Sequence, residues 1–186
     1  MTLDLTAVDL TTATICTDRL TLRPFRPDDV DTVYRACQDP DLQRWLTALP
    51  SPYTREAAVE FVTEIAPRGR AAGTDLGCAI EVDGELIGSC GAHHLTTGRL
   101  GPEIGYWIAP WARRAGYAAE AARALADWAI GNGAPRAHLF TDVDNTASQA
   151  VARRAGFTAE GTVRSCLDYR DGSRADALLF GRVAGG

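Results

Sequence analysis

From residue 27 to about 66 the apolar positions of this chain recur at helical spacing, and from residue 76 onward most of them alternate. Before that, residues 1–17 are Thr-rich with alternating apolar positions, and read as an extra strand or as a loose tail. "RLTLRPF" (19–25) alternates as a strand does. Pro27-Asp28-Asp29 opens a helix, because proline suits a first turn and acids suit its positive end. Val30, Val33, Tyr34 and Cys37 then share one face. "DPDLQRWLT" (39–47) predicts a turn and a short helical piece. Thr54 caps a helix over 55–66 that buries Ala57, Ala58, Phe61, Val62 and Ile65. "GRAAGTD" (69–75) reads as a loop.

Then the character changes. "LGCAIEV" (76–82) and "ELIGSCGAHHL" (85–95) flank Asp83-Gly84, the favoured pair for a tight hairpin. "GPEIGYWIA" (101–109) is another strand, with a glycine-related irregularity expected at Gly105. "WARRAGYAAEAARALADWAI" (111–130) is a short turn running into an alanine-rich amphipathic helix, with Gly131 as its terminator. "RAHLFTDV" (136–143) is a strand and "NTASQAVARRAG" (145–156) a short helix stopped by its glycine. "FTAEGTVRSCLDYR" (157–170) and "RADALLFGRV" (174–183) close the chain as a hairpin around Asp171-Gly172. The pattern is α+β: one domain, helices early, a largely antiparallel sheet later.

Composition narrows the function. A chain of 186 residues suits one domain with a sizeable core. A net charge of −5 argues against general nucleic-acid binding, leaving only a local basic patch from Arg113, Arg114, Arg153 and Arg154. The five cysteines form no C-x-x-C pair, so neither a zinc ribbon nor a redox pair is indicated; free thiols in the cytoplasm are expected. Neither a signal-peptide pattern nor an apolar run of about 18 residues is present, so no membrane partner is expected. His93 and His94 are adjacent, point to opposite faces of a strand, and do not make a metal site; no metal is expected.

The turn before the alanine-rich helix carries the clearest chemistry. A helix N-terminus has free N–H groups and partial positive charge. Ala115, Gly116 and Ala118 keep side-chain bulk away, and Arg113 and Arg114 add positive potential. Several charge-assisted hydrogen bonds of about 1.5–3 kcal/mol each would anchor a diphosphate without a metal. By these residues alone it is equally an ordinary helix start packed on the sheet. It is neither a P-loop nor a G-x-G-x-x-G fingerprint.

"GPEIGYWIAPWARRAGYAAEA", "DNTASQAVARRAGF", a following "EG" and a late "D" before the last strand together resemble the GNAT superfamily of acyl-CoA N-acyltransferases. More narrowly they are similar to its branch of ribosomal-protein N-terminal acetyltransferases. The resemblance covers about residues 18–183, leaving 1–17 as an extension before an acyltransferase domain over 18–186. It implies a GNAT-like mixed sheet, mostly antiparallel and flanked by helices, with splayed central strands. It also implies acetyl-CoA as co-substrate, with the coenzyme A diphosphate on Arg113, Arg114, Ala115, Gly116, Tyr117 and Ala118. Ala118 stands where the strict pattern has a second glycine. The pantetheine arm would lie along the unpaired strand edge, and Trp107 or Ile108 would offer the backbone N–H for the thioester oxygen.

An amine acceptor must be neutral to attack. At pH 7 a lysine amine is neutral in about 0.04% of molecules and an α-amine in roughly 10–15%, so an α-amine needs less help from a base. Glu103 is the base that the resemblance points to; Asp39, Asp41, His93 and His94 are rivals, and a solvated strand-start carboxylate is the plain alternative for Glu103. For thiolate departure many GNAT enzymes have a tyrosine where this chain has Ala152. The N-terminal-acetyltransferase branch has a serine matched by Ser148, and Asn145 would cap that helix or bind the pantetheine arm. Both are also ordinary helix-start residues. Trp45, Leu46, Tyr53 and Phe61 would wall the acceptor side, or belong to the core. Arg164, Asp168 and Asp176 would meet a cationic amine, or make surface ion pairs.

The reading is therefore acetyl transfer to a primary amine, a protein N-terminus or a small molecule, in a ternary complex. Another acyl donor such as succinyl-CoA, and a non-catalytic acyl-CoA sensor, are the alternatives; a homodimer is left open.

Overall fold

The computed structural model describes residues 3–185. Eight strands form one sheet in the order β1-β2-β3-β4-β5-β6-β8-β7. They are β1 (Ile15–Cys16), β2 (Thr21–Arg23), β3 (Leu76–Val82), β4 (Glu85–His93), β5 (Glu103–Ile108), β6 (Arg136–Asp142), β7 (Thr158–Asp168) and β8 (Arg174–Val183). Every neighbouring pair is antiparallel except β5 and β6. The helices are α1 (Val30–Ala36), α2 (Pro40–Trp45), α3 (Arg55–Glu60), α4 (Ala66–Ala72), α5 (Tyr117–Gly131) and α6 (Thr146–Arg154). Among the described residues no helix is long and apolar enough to cross a membrane.

Two cores sandwich the sheet. Ile104, Ile108 and Leu139 pack with Ala121, Ala122 and Leu125 of α5 on one face. Val30, Val33, Ala58 and Val62 pack with Ala79 and Leu86 on the other. Alanines along the buried stripe of α5 let that helix lie close to the strands, which is why its composition is so plain. The N-terminal segment joins the first core: Leu10 is buried, and Leu3, Leu5, Val8 and Ile15 pack against the same cluster. Buried Arg70 reaches across from α4 to donate to Leu10 O at 2.5 Å and Ala13 O at 3.1 Å.

Five local expectations are corrected, one of them being Ile65, which was expected to be buried and is exposed. The helix begun at Arg55 does not stop at 66: it passes through a π turn, Phe61–Ile65, into α4 and ends at Gly73, whose φ is +71°. Residues 69–72 are therefore helical, not loop. Proline has no N–H and crowds the preceding turn; the wide turn is where the helix absorbs Pro67. The β4–β5 register is regular through Gly105, and the irregularity falls instead at Ile80/Glu81 in β3. Gly131 is the last residue of α5, and the left-handed residue is Gly133, at φ +95°.

Candidate active site

The central strands part. β5 pairs with β4 from Gly88↔Ile108 to His93↔Glu103, but meets β6 only at Glu103↔His138. Beyond that bridge β5 and β6 carry no ladder. Ala109 N–H donates to Ile87 O at 2.9 Å, and the Trp107 carbonyl oxygen abuts Gly88. Backbone groups alternate sides along a strand, so Trp107 turns its own to β4, whereas Tyr106 and Ile108 turn theirs to the open seam. Of the two residues expected to offer a seam N–H, only Ile108 does so; its carbonyl also accepts from Arg113 Nε at 3.4 Å. The Trp107 side chain is a core aromatic facing the early helices.

A 3-10 turn, Pro110–Ala112, carries β5 into the start of α5. Arg114 and Gly116 both have left-handed backbone, φ +68° and +86°. The first backbone bond entering α5 is Glu120 N–H to Gly116 O, 3.2 Å. The amides of residues 114–119 have no protein acceptor among the described residues, so free donors line a concavity at this turn. Ala115 and Arg114 are exposed, and Gly116 to Ala118 half-buried. The two expected rim arginines reduce to one. Arg113 pairs with Asp39 and, at 3.3 Å, with Asp41, tying the turn to α2. Asp39 also caps α2 through Leu42 N–H at 2.9 Å. Burial works against its ionisation, but Arg113 and that amide outweigh it and hold its carboxyl below the usual range. Asp39 is thus structural.

Arg19 was not legible as a site residue. Its guanidinium binds Glu120 Oε2 through Nε at 2.8 Å and Nη2 at 2.5 Å, and donates to Ala115 O at 3.0 Å. Thr17 adds a 2.6 Å bond to the same carboxylate. Glu120 lies in the first turn of α5, where its charge would repel an anion; Arg19 neutralises it and holds the Ala115 carbonyl back from the concavity. We expect Arg19→Ala to weaken coenzyme A binding about fivefold, the scale of one exposed ion pair, as read by titration calorimetry. Unchanged affinity would make Arg19 a bystander.

On the α5 side of the seam, Asn145 caps α6, its Oδ1 accepting from Ser148 N–H at 3.0 Å. Ser148 Oγ lies 3.0 Å from Tyr106 Oη. Position 152, where the resemblance would have a tyrosine, is a fully buried alanine. The structure brings a phenol to the same helix from β5 instead. The signal was there in the two-residue period, which puts Tyr106 on the face of Ile104 and Ile108, toward α6. Burial pushes the Tyr106 hydroxyl up to about 12, so it stays protonated and able to donate.

The opposite face of the seam carries Glu103, with its Oε2 3.8 Å from His138 Nε2. His138 is only 4% exposed, and burial pushes its imidazole down despite Glu103. His93 lies directly across from Glu103 and bonds to Asp75, Nδ1 to Oδ1, at 3.0 Å. The remaining acceptor-side residues separate. Tyr53 is buried and Phe61 packs edge-on against Phe25, 5.1 Å between centroids, so both belong to the core. Asp168 pairs with Arg174 at 3.0 Å, and Asp176 accepts from Ser165 N–H at 2.8 Å. Arg170, not singled out in the sequence, donates to Gln43 O at 2.7 Å and Leu46 O at 3.0 Å, fastening the β7–β8 turn to the C-terminal end of α2.

An open strand edge beside a donor-lined helix start, with hydroxyls on one side and a carboxylate on the other, suits a ligand that has an anionic group and an arm with peptide-like hydrogen-bonding groups. The model of the acetyltransferase (GNAT) domain matches residues 19–158, and the chain belongs to that family. Acetyl-CoA is its co-substrate, and it transfers an acetyl group to an amine. The chain is 29% identical to an N-acetyltransferase of Bacillus subtilis, YoaA, over 90% of its own length and 94% of the relative's. It is 27% identical to the putative ribosomal N-acetyltransferase YdaF of the same organism, over 88% and 90% of the two chains. Among solved structures, RimJ of Mycobacterium smegmatis in complex with CoA-disulfide superposes with a TM-score of 0.81 at 26% identity, covering 93% and 88% of the two chains.

Proposed function

We propose that this acetyltransferase acts on the α-amine of a protein or peptide N-terminus, by direct attack on the thioester in a ternary complex. The observation that carries the proposal is the unpaired edge of β5 leading straight into the free amides of residues 114–119. Those amides, from Arg114, Ala115, Gly116, Tyr117 and Ala118 onward, hold the diphosphate, with Arg114, which has no acidic partner among the described residues, as the cation at the rim and Arg113 as a brace. The groups of Tyr106 and Ile108 that face the seam hold the pantetheine arm as an added strand would be held. The Ile108 N–H is placed to stabilise charge developing on the thioester oxygen.

Glu103 draws in the ammonium form of the acceptor and holds it where a base can take its proton. Ser148 donates to the departing sulfur, backed by Tyr106, while Asn145 holds that turn of α6 in place. The α-amine reading is supported by the low demand such an amine makes on a base, and by relatives named for ribosomal N-acetylation. Five free thiols, three of them buried, suit work in the cytoplasm.

The test is thiol release from acetyl- and succinyl-CoA against α-amine peptides, lysine peptides and polyamines. Release confined to acetyl-CoA with α-amine peptides is expected; a preference for polyamines would overturn the acceptor assignment. Ser148→Ala and Tyr106→Phe should each lower kcat about tenfold with coenzyme A affinity kept. The double variant should be little worse than either, because the two hydroxyls act as a unit. Strictly multiplicative losses would separate their roles.

A further inference from the structure

Four ionisable side chains line up across the strands on the acceptor face. Asp75 stands at the entry to β3, His93 on β4 directly across from Glu103 on β5, and His138 across from Glu103 on β6. Acid and imidazole alternate along this row, and its first two members are held as a built dyad. Asp75 is fixed by its own N–H to Gly69 O, 3.2 Å, and by Thr74 Oγ1 to its Oδ2, 2.6 Å. Gly69 has no side chain where the Asp75 Cβ packs. That leaves Oδ1 for His93 Nδ1, at 3.0 Å. An ionised carboxylate only accepts, so Nδ1 carries the proton and Nε2 presents its lone pair.

The ring lies against two glycines. A Cβ on Gly91 would stand 2.7 Å from His93 Nε2, and one on Gly105 3.4 Å from it. Neither glycine has left-handed backbone. Their lack of a side chain therefore serves the ring and not the chain path, and it brings Nε2 over the strand that borders the seam. The His93 side chain is 43% exposed, so a proton it takes has a way out to water.

Resting on the amine-acetylation reading above, we propose that the Asp75–His93 dyad is the proton acceptor of the reaction, with Glu103 as the anion that holds the ammonium beside it. Magnitude decides between them. Moving a proton from an α-amine to a glutamate carboxyl is unfavourable by a factor of about three thousand on ordinary acidities, and to an imidazole by only about twenty. His138 is too enclosed to take this proton, because its Nδ1 is buried without a partner and its Nε2 faces Glu103. The titratable groups facing His93 are Asp75 and Glu103. Among the described residues no helix sends a charged side chain within hydrogen-bond reach of it.

The ammonium gives one proton to Nε2. The freed lone pair forms the C–N bond at the thioester carbonyl carbon, and the C–S bond breaks with its electrons on sulfur. Sulfur gains a proton through Ser148, which is replaced by the N–H proton lost as the amide forms. Nε2–H then releases its proton to water, so each turnover yields one amide, one thiol and one proton.

The experiment is kcat against pH, from 6 to 9.5, with acetyl-CoA and a short peptide bearing a free N-terminal serine, alongside coenzyme A titrations. His93→Gln should lower kcat about 100-fold at pH 7. The loss should shrink toward pH 9.5, where the amine is already neutral, and coenzyme A affinity should stay within twofold. Asp75→Asn should cost about tenfold, most of it at low pH, because the acceptor that keeps the proton on Nδ1 and leaves Nε2 free is gone. Gly91→Ala, which displaces the ring without removing it, should copy the His93→Gln pH profile. A His93→Gln enzyme within threefold of wild type at pH 7, or a loss equal at every pH, overturns the dyad as proton acceptor. A wild type that releases no thiol with any amine removes the acetylation reading along with it, whereas an active wild type matched by His93→Gln removes the dyad alone.

Discussion

Gly116→Glu is expected to weaken coenzyme A binding by a factor of about 150 to 20,000 while the protein stays folded. The range follows from losing two charge-assisted bonds of about 1.5–3 kcal/mol each at the start of α5. Two effects act together. A carboxylate would stand among the amides of residues 114–119, filling the place of the anion and repelling it. It would also sit in a left-handed position, φ +86°, that side chains rarely adopt. Gly116→Ala separates the two. Its methyl would meet nothing closer than Arg19 Nη2 at 3.6 Å, so it carries only the backbone strain, about 1–2 kcal/mol, or a few degrees in Tm. Calorimetric titration of both variants decides the matter. Alanine should retain most of the affinity and glutamate should not. If a folded Gly116→Glu protein binds coenzyme A like wild type, the diphosphate is held elsewhere.

The largest loss of stability is expected from Asp29→Ala, about 3–5 kcal/mol. Arg23 is 4% exposed and Asp29 5%. The guanidinium gives Asp29 a bidentate pair, 2.7 and 2.9 Å, and gives Glu81 a third bond at 2.5 Å. Asp29 also accepts the Arg26 N–H at 2.7 Å. Truncating it leaves a buried cation with one anionic partner, Glu81, and the Pro24 carbonyl, and a backbone donor with none. Against a total of about 5–15 kcal/mol this is a large fraction, and a fall in Tm of about 6–20 °C is expected. Asp28→Ala, one residue away and outside this network, should change stability by no more than about 0.5 kcal/mol. Urea midpoints of the two variants make the comparison. An Asp29→Ala protein within about 1 kcal/mol of wild type would mean that Glu81 alone satisfies Arg23. The network matters to function because it locks β2 to the start of α1, which packs on the Trp107 face of the sheet.

What can be read from the chain follows from the range of the interactions involved. Alternation along 76–95 and the Asp83-Gly84 pair specify a hairpin because strand faces and turn dihedrals are properties of neighbouring residues. Small residues at 115, 116 and 118 before an apolar stripe specify a helix start for the same reason, but whether its amides stay open is settled by what packs around them. The π turn escaped because Pro67 ordinarily ends a helix, and here packing of Val62 and Ala66 carries the helix past it.

By itself, then, the sequence determined the order of elements, the α+β class, the turn before α5 and the helix start at Asn145. All of these rest on local dihedral preference and on the period of apolar side chains. Only the tertiary structure decided that β5 and β6 part after a single bridge, that Ile108 and not Trp107 faces the gap, and that Arg113 is turned to Asp39. It alone brought Tyr106 to Ser148, Arg19 to Glu120 and Asp75 to His93. Those pairs are 42, 101 and 18 residues apart in the chain. Separations of that length are closed by the packing of the whole sheet and its helices, and no local pattern records them.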